Sequence, residues 1–467
     1  MRILGLVLLF LTSSFQVYSQ QDSHYWTHQY GAQGLLLNGA VIAGTQGETA
    51  LFYNPGAVGM SSTQGLELSF VTPTFSQLRT SRLIGDDHLV QDSHLGLAPG
   101  FVGVTFGSGI KNLTLGVTTF QRFRTDISFE DRVLETIAGG NDILFRGDLD
   151  FERDISERWV GINIAYTPSR NFGFGITQFS TYHNQRTSFD FKREILSANN
   201  PEDIIQSWRS EFAYNFSVTS AFVTKVGLAY RTDNFRLGLT YTSPSYGSIR
   251  KRGAYALEDQ RINLLTGMDQ SVSNRNSNLP ISRTTPSSIG FGIDLNIDQT
   301  TYSFSTEFFR EVQTFVTLAD TDDPFDNMSN ADLPTSVEIN EGSSRVINFA
   351  IGCQQKVSDS KTFIIGFRTD LDPLNSVVIN ELPEYLGTVG SVFHLSGGGL
   401  FRGEKNNISL GVDLGYGRKS EGLQLADFSN IDQSSLFDAN AESVVSSTFF
   451  SFTLFCTYDF IFSSFSE

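Results

Sequence analysis

Three basic residues, Lys225, Arg236 and Arg368, stand in segments whose side chains alternate between apolar and polar, and all three fall on the polar parity. Arg122 and Arg124 are further candidates of the same kind. A cation held among apolar walls can take the carboxylate of an otherwise oily molecule, since it supplies a counter-charge where water does not. Tyr25, Trp26 and Phe52 add aromatic surface that would line such a pocket or pack an interior. Asp294, Glu307, Asp413 and Asp459 share the polar parity. They offer the other use of the same cations, internal ion pairs that brace one part of the chain against another.

Other chemistry finds little support. The six histidines, His24, His28, His88, His94, His183 and His394, are scattered, and no nucleophile and base can be matched to them by spacing. No catalytic residue is expected. His24 and His28 are four apart, but no third ligand stands nearby, so neither a metal nor a cofactor is expected. Cys353 and Cys456 lie inside alternating segments and read as small apolar residues rather than a disulfide. A net charge of −17 argues against nucleic acid as a partner.

The elements that must position these residues are strands. In Thr448–Phe460, Phe450, Phe452, Leu454, Cys456, Tyr458 and Phe460 share one parity, with Ser451, Thr453, Thr457 and Asp459 on the other. A period of two with an oily and a wet face is a β-strand, and this one has the length of a membrane-crossing strand. Similar runs occur in pairs joined by short turns rich in Asp, Asn, Gly, Ser or Pro, as at Pro168–Asn171, Thr232–Asn234 and Ser358–Ser360. Six such hairpins, a first strand at Leu66–Leu78 and the last one predict an antiparallel all-β transmembrane barrel of about 14 strands. Longer polar segments alternate with the short turns, including 80–98, 125–146, 192–209, 251–286 and 317–343. Forty-one Phe, 15 Tyr and 42 Gly suit such a barrel, with rings at the interfaces and glycines where strands curve.

Residues 1–19 have a basic start, an apolar stretch and small residues before Gln20, the pattern of a secretory signal peptide. Residues 20–65 do not alternate. They are fairly apolar, rich in small residues and too few to bury a core of their own. A barrel of about 14 strands has a lumen wider than its own side chains fill. The segment is therefore expected to plug that lumen, with residues 66–467 as the barrel.

Here the chain resembles the FadL/OMPP1/TodX family of outer-membrane transport proteins. The matching stretch is Ala43–Ala57, where Asn54 and Pro55 fit an Asn-Pro-Ala-like motif and Gly56 departs from it, with Ala57 following. The resemblance implies a hatch inside the barrel and passive uptake of hydrophobic molecules, long-chain fatty acids or aromatic hydrocarbons. It also implies capture at extracellular loops and sideways release through the wall beside a kinked strand. Gly100, Gly103 and Gly116 are the candidates for that kink. Outer-membrane lipid and lipopolysaccharide of a Gram-negative (diderm) bacterium would surround the barrel. A second reading stays open, in which a FadL-like barrel serves as an accessory or structural subunit with protein partners in an outer-membrane secretion or assembly complex.

Overall fold

A computed structural model describes residues 24–44, 47–60, 63–69, 72–83, 88–98, 100–136, 143–320, 337–374, 390–422 and 445–464. The expected signal peptide, residues 1–19, lies outside the described residues. In chain order the strands are β1 (Thr63–Ser69), β2 (Thr72–Ser81), β3 (Leu89–Ala98), β4 (Phe101–Gly107) and β5 (Leu113–Thr136). Then follow β6 (Ile143–Ser169), β7 (Phe172–Ser197), β8 (Ile204–Arg231), β9 (Phe235–Thr242), β10 (Arg250–Asn263) and β11 (Met268–Leu279). The rest are β12 (Ser288–Ile297), β13 (Thr300–Phe309), β14 (Val312–Asp320), β15 (Val337–Ser343), β16 (Val346–Ser358), β17 (Lys361–Asp370), β18 (Val392–Arg402), β19 (Asn406–Gly422) and β20 (Val445–Ser464).

Each wall strand pairs antiparallel with its neighbours from β4 through β9, then β12, β13 and β16 to β20, and β20 closes the ring on β1 and β2. Counting β1 with β2 and β3 with β4 as two interrupted strands, the wall has 14 strands. The transmembrane barrel expected from the alternation is the fold observed. All six expected hairpins are wall hairpins: β4–β5, β6–β7, β8–β9, β12–β13, β16–β17 and β18–β19.

The polar segments hold more strand than their composition predicts. β3 occupies 89–98, β10 and β11 form a hairpin inside 251–286, and β14 and β15 pair with each other inside 317–343 and just before it. β5 to β8 are 24, 27, 26 and 28 residues long, more than twice a membrane crossing. The reason shows along β6. Near the hairpin, Val160, Ile162 and Ile164 point outward, and Ile162 is 65% exposed. Farther up, the same outward parity carries Asp148, Asp150, Glu152 and Asp154, while Leu149, Phe151 and Ile155 are buried inside. Lipid requires an oily outer face and water a charged one. The strand therefore keeps its period while its faces exchange character, and the upper half reads as a polar loop.

Residues 24–60 form two short helices, α1 (Gly31–Leu36) and α2 (Ala50–Tyr53), and a 3₁₀ segment at Pro55–Met60. They are mostly buried, and they touch inward-facing wall residues. Ser396 Oγ of β18 donates to the Leu36 carbonyl (2.9 Å), and Thr177 Oγ1 of β7 donates to that of Leu51 (2.8 Å).

Two interruptions mark one side of the wall. β1 gives way to β2 across residues 70–71, and β3 to β4 across residues 99–100. β4 pairs with β5 from Gly107 opposite Thr114 up to Phe101 opposite Phe120. Among the described residues, β5 above Phe120 pairs with β6 alone and β3 with β2 alone. Among the described residues no backbone ladder joins β3 to the upper half of β5. Apolar side chains meet there instead: Leu78, Leu83 and Val90 share a buried cluster with Ile127, Phe129 and Val133. The seam begins at a β-bulge in β5 between Gln121 and Phe123, which puts Arg122 out of register. Gly100 lies at the break. Gly103 and Gly116 instead make room for the N-terminal segment, since a Cβ on them would stand 2.8 Å from Glu48 Cβ and 2.3 Å from Leu51 Cδ2.

Candidate functional site

Above the N-terminal segment lies a cavity of about 210 Å³. Tyr25, Trp26, His28 and Phe52 form its floor, and Arg122, Trp159, Lys225, Glu307 and Phe309 form its sides. Arg283 and Thr285 of the β11–β12 connection and Glu341 of β15 reach it from above. The strand period delivers the sides: alternate residues of β5, β6, β8 and β13 point inward.

The aromatic half is fixed by ring contacts. Tyr25 stacks on Phe309 with centroids 4.4 Å apart, and Phe52 meets Phe120 edge-on at 4.8 Å. Trp26 Nε1 donates to Glu307 Oε2 (2.8 Å), while Ser288 Oγ donates to Glu307 Oε1 (2.6 Å), so both oxygens of that carboxylate are engaged. Trp26 N–H donates to Asp370 Oδ1 (3.0 Å), which ties the floor to β17.

The polar half carries unequal cations. The Arg122 guanidinium donates to the Tyr25 carbonyl and lies 5.7 Å from the Phe52 ring and 5.9 Å from Trp159. Arg283 Nη1 is 3.0 Å from Glu157 Oε2, a carboxylate that also accepts from Trp159 Nε1 (2.7 Å) and meets His183 Nδ1 (3.2 Å). Lys225 is different. It is only 5% exposed, and its Nζ sits 4.8 Å from the centre of the Phe52 ring. Among the described residues that ammonium has no hydrogen bond and no ion pair in contact; the Glu307 carboxylate acts on it from farther across the cavity. A cation–π contact replaces only part of the hydration that a buried ammonium gives up.

Of the residues singled out in the sequence, the structure brings together Tyr25, Trp26, Phe52 and Lys225 around one cavity. Arg236 and Arg368 are elsewhere. Arg236 lies 3.9 Å from Asp294 beside Gly44. Arg368 donates to the carbonyl of Thr27 (2.9 Å) and to Asn38 Oδ1, and lies 3.7 Å from Asp413, which His394 also meets (3.0 Å). These two braces have the bracing role that the acidic residues on the same parity offered.

Asn54, Pro55 and Gly56 hold the base of the N-terminal segment. Asn54 Nδ2 donates to the carbonyls of Ile42 (2.9 Å) and Leu228 (3.0 Å), and Asn54 Oδ1 accepts from Gly56 N–H (3.0 Å). A Cβ at position 56 would lie 2.6 Å from the Gly227 carbonyl oxygen, so alanine does not fit where this chain has glycine. Trp159 and Phe309 escaped the sequence reading although their inward parity on β6 and β13 marks them. Arg283 and Glu341 lie in segments that read as loops and carried no signal.

Neither a protein-family model nor a curated protein matches this chain. Solved structures do. A FadL homologue of Pseudomonas aeruginosa aligns over 94% of this chain and all of its own, at 12% identity and a TM-score of 0.57. The P. putida toluene transporter TodX aligns over 93% of this chain and 98% of its own, at 12% identity and 0.60. The Ralstonia pickettii toluene transporter TbuX aligns over 93% and 98%, at 12% identity and 0.53. The chain shares the fold of the FadL and TodX barrels along nearly its whole length.

Proposed function

We propose that this barrel lies in the outer membrane of a Gram-negative bacterium and carries hydrophobic molecules inward, with residues 24–60 as its plug. The oily outer band of the wall and the export signal expected at residues 1–19 support that location. The cavity is a binding chamber, and its contents leave sideways through the seam between β3 and the upper half of β5. In support of that path, Arg122 stands at the bulge where the seam begins and also touches the cavity floor at Tyr25.

One observation carries the substrate class. The Lys225 ammonium is buried against Phe52 with no carboxylate in contact, and Glu307, which acts on it across the cavity, has both oxygens held by Trp26 and Ser288. An amphipathic molecule with an anionic or strongly accepting head, such as a long-chain carboxylic acid, would supply the direct contact that Glu307 does not. Its hydrocarbon would lie on Tyr25, Trp26 and Phe309. The barrel would then favour such molecules over neutral aromatic hydrocarbons.

Binding of oleate and of toluene to the detergent-solubilised protein tests this. Lys225→Met keeps the stem and removes the charge. Oleate affinity is expected to fall about 10- to 100-fold, the range for one charge-assisted contact, with toluene binding unchanged. Equal oleate affinity in both proteins would remove Lys225 as the head-group anchor. No binding of either molecule would remove the transport reading altogether.

A further inference from the structure

The roof of the cavity belongs to no wall strand. The chain from 280 to 287 leaves β11, and β14 with β15 forms a two-stranded ribbon of its own. The two pieces are joined: Ser282 N–H donates to the Thr317 carbonyl (3.0 Å), and Ile281 bridges to Leu318. Both return to the wall at its rim, where Arg310 N–H donates to the Ser287 carbonyl (2.9 Å).

This roof is held differently on its two sides. On one side Ile281, Leu318 and Ile339 are buried in a cluster with Tyr214, Phe216 and Tyr255 of β8 and β10. On the other side the tie to β6 is ionic. Arg283 Nη1 reaches Glu157 Oε2 at 3.0 Å, over the chamber, with His183 and Trp159 on the same carboxylate. The buried Glu341 carboxyl of β15 faces Arg283 within the roof and Arg153 of β6 across the chamber, so the charged contact with β6 has two parts.

An apolar interface resists opening in proportion to the surface it hides from water. A buried ion pair returns much of its attraction as desolvation cost, and separating it toward water restores that hydration. The two sides therefore part unequally. We infer that residues 280–287 and the β14–β15 ribbon form a lid on the chamber, hinged along the β8–β10 cluster and latched to β6 by Arg283 and Glu157. The latch takes the cavity to be the binding chamber, but its opening is measurable without any ligand.

The test uses the full-length protein carrying Cys353→Ser, Cys456→Ser and Thr242→Cys, which places one thiol on the chamber wall. Its reaction with a membrane-impermeant sulfonated maleimide is followed on intact cells and in micelles. Arg283→Ala and Glu157→Gln are each expected to speed labelling about tenfold, a common size for a coupling between two states, and Arg283→Lys to return most of the protection. A second reporter, Ala57→Cys at the buried base of the plug, should stay slow throughout. Unchanged labelling of Thr242→Cys in both latch variants would overturn the lid. Equal acceleration at Ala57→Cys would also overturn it, by showing general loosening of the fold. Neither result depends on whether oleate or toluene binds.

Discussion

The lower lumen and the chamber above it are built from the same strands by opposite means. On β7, Gly173 and Gly175 face the N-terminal segment, and a Cβ on either would stand 2.2 Å from the Gly56 oxygen or 2.1 Å from that of Pro55. Higher on the same face comes Phe179, packed against Trp159 at 5.0 Å. On β8, Gly227 meets Asn54 below, and Lys225 enters the chamber above. On β12, Gly292 lies against Ala43, and Ser288 reaches the chamber. Backbone pressed on backbone fixes the seat of the N-terminal segment. Side chains fix the shape of the chamber. The seat therefore tolerates almost no substitution, while the chamber can be retuned residue by residue.

Breaking the seat should have the largest effect. In Gly238→Val a Cβ would stand 1.8 Å from the Ile42 carbonyl oxygen, and neither backbone can yield cheaply. Overpacking of this kind costs about 1–3 kcal/mol and more where backbone must move. The plug is expected to leave its place and a steady ion conductance to appear in planar bilayers. Gly397→Ala is the matched control: its Cβ would meet only the Ile364 oxygen at 3.7 Å, an ordinary contact, and the pore should remain closed. A silent Gly238→Val would mean that the contact is not what seats the plug. Asn54→Ala comes next. It leaves the buried carbonyl of Ile42 and the part-buried one of Leu228 without this donor and removes the turn bond to Gly56. At about 1–3 kcal/mol for each buried group left unsatisfied, hydrogen exchange in residues 50–60 should rise well before that of the wall.

What the sequence discloses follows from where lipid acts. Ile289, Phe291, Leu295 and Ile297 alternate cleanly because hydrocarbon demands an oily outer face, and all four are exposed on the barrel. Above the membrane that demand ends. Glu130, Asp150, Asp190 and Glu258 then occupy the outer parity of β5, β6, β7 and β10, and the composition reads as loop although the ladder continues. Lys225 was legible as a cation on an inward parity. Its lack of a contact ion pair was not, because pairing is a property of the closed ring: Arg236 and Arg368 have the same parity and found Asp294 and Asp413, whereas Glu307 acts on Lys225 only from a distance. Gly56 departs from the motif because of a carbonyl on β8 that is distant in sequence.

Protonation sharpens the comparison at the small end, because the seat and the chamber floor each bury a titratable residue of the N-terminal segment. Burial, with Arg368 and Arg122 adding to it, holds His28 neutral and pushes its pKa from 6.5 down to about 3. An unfolded segment takes up a proton below 6.5 that the folded one refuses, so plug stability should fall as pH drops from 6.5 toward 3. Glu48 is opposite in sign. Burial raises its pKa from 4.5 to about 7 against the hydrogen bond from Thr105, and Glu67 stands near with Asp459 as its register partner. An unfolded segment loses a proton above 4.5 that the folded one keeps, so this contribution is full below 4.5 and is lost as pH rises through 7. His28→Gln should flatten the acid limb of plug protection alone, and Glu48→Gln the limb between 4.5 and 7 alone. Hydrogen exchange of residues 24–60 across that range reads both. If the two variants shifted the whole profile together, the seat and the floor would be one cooperative unit rather than two regions under separate control.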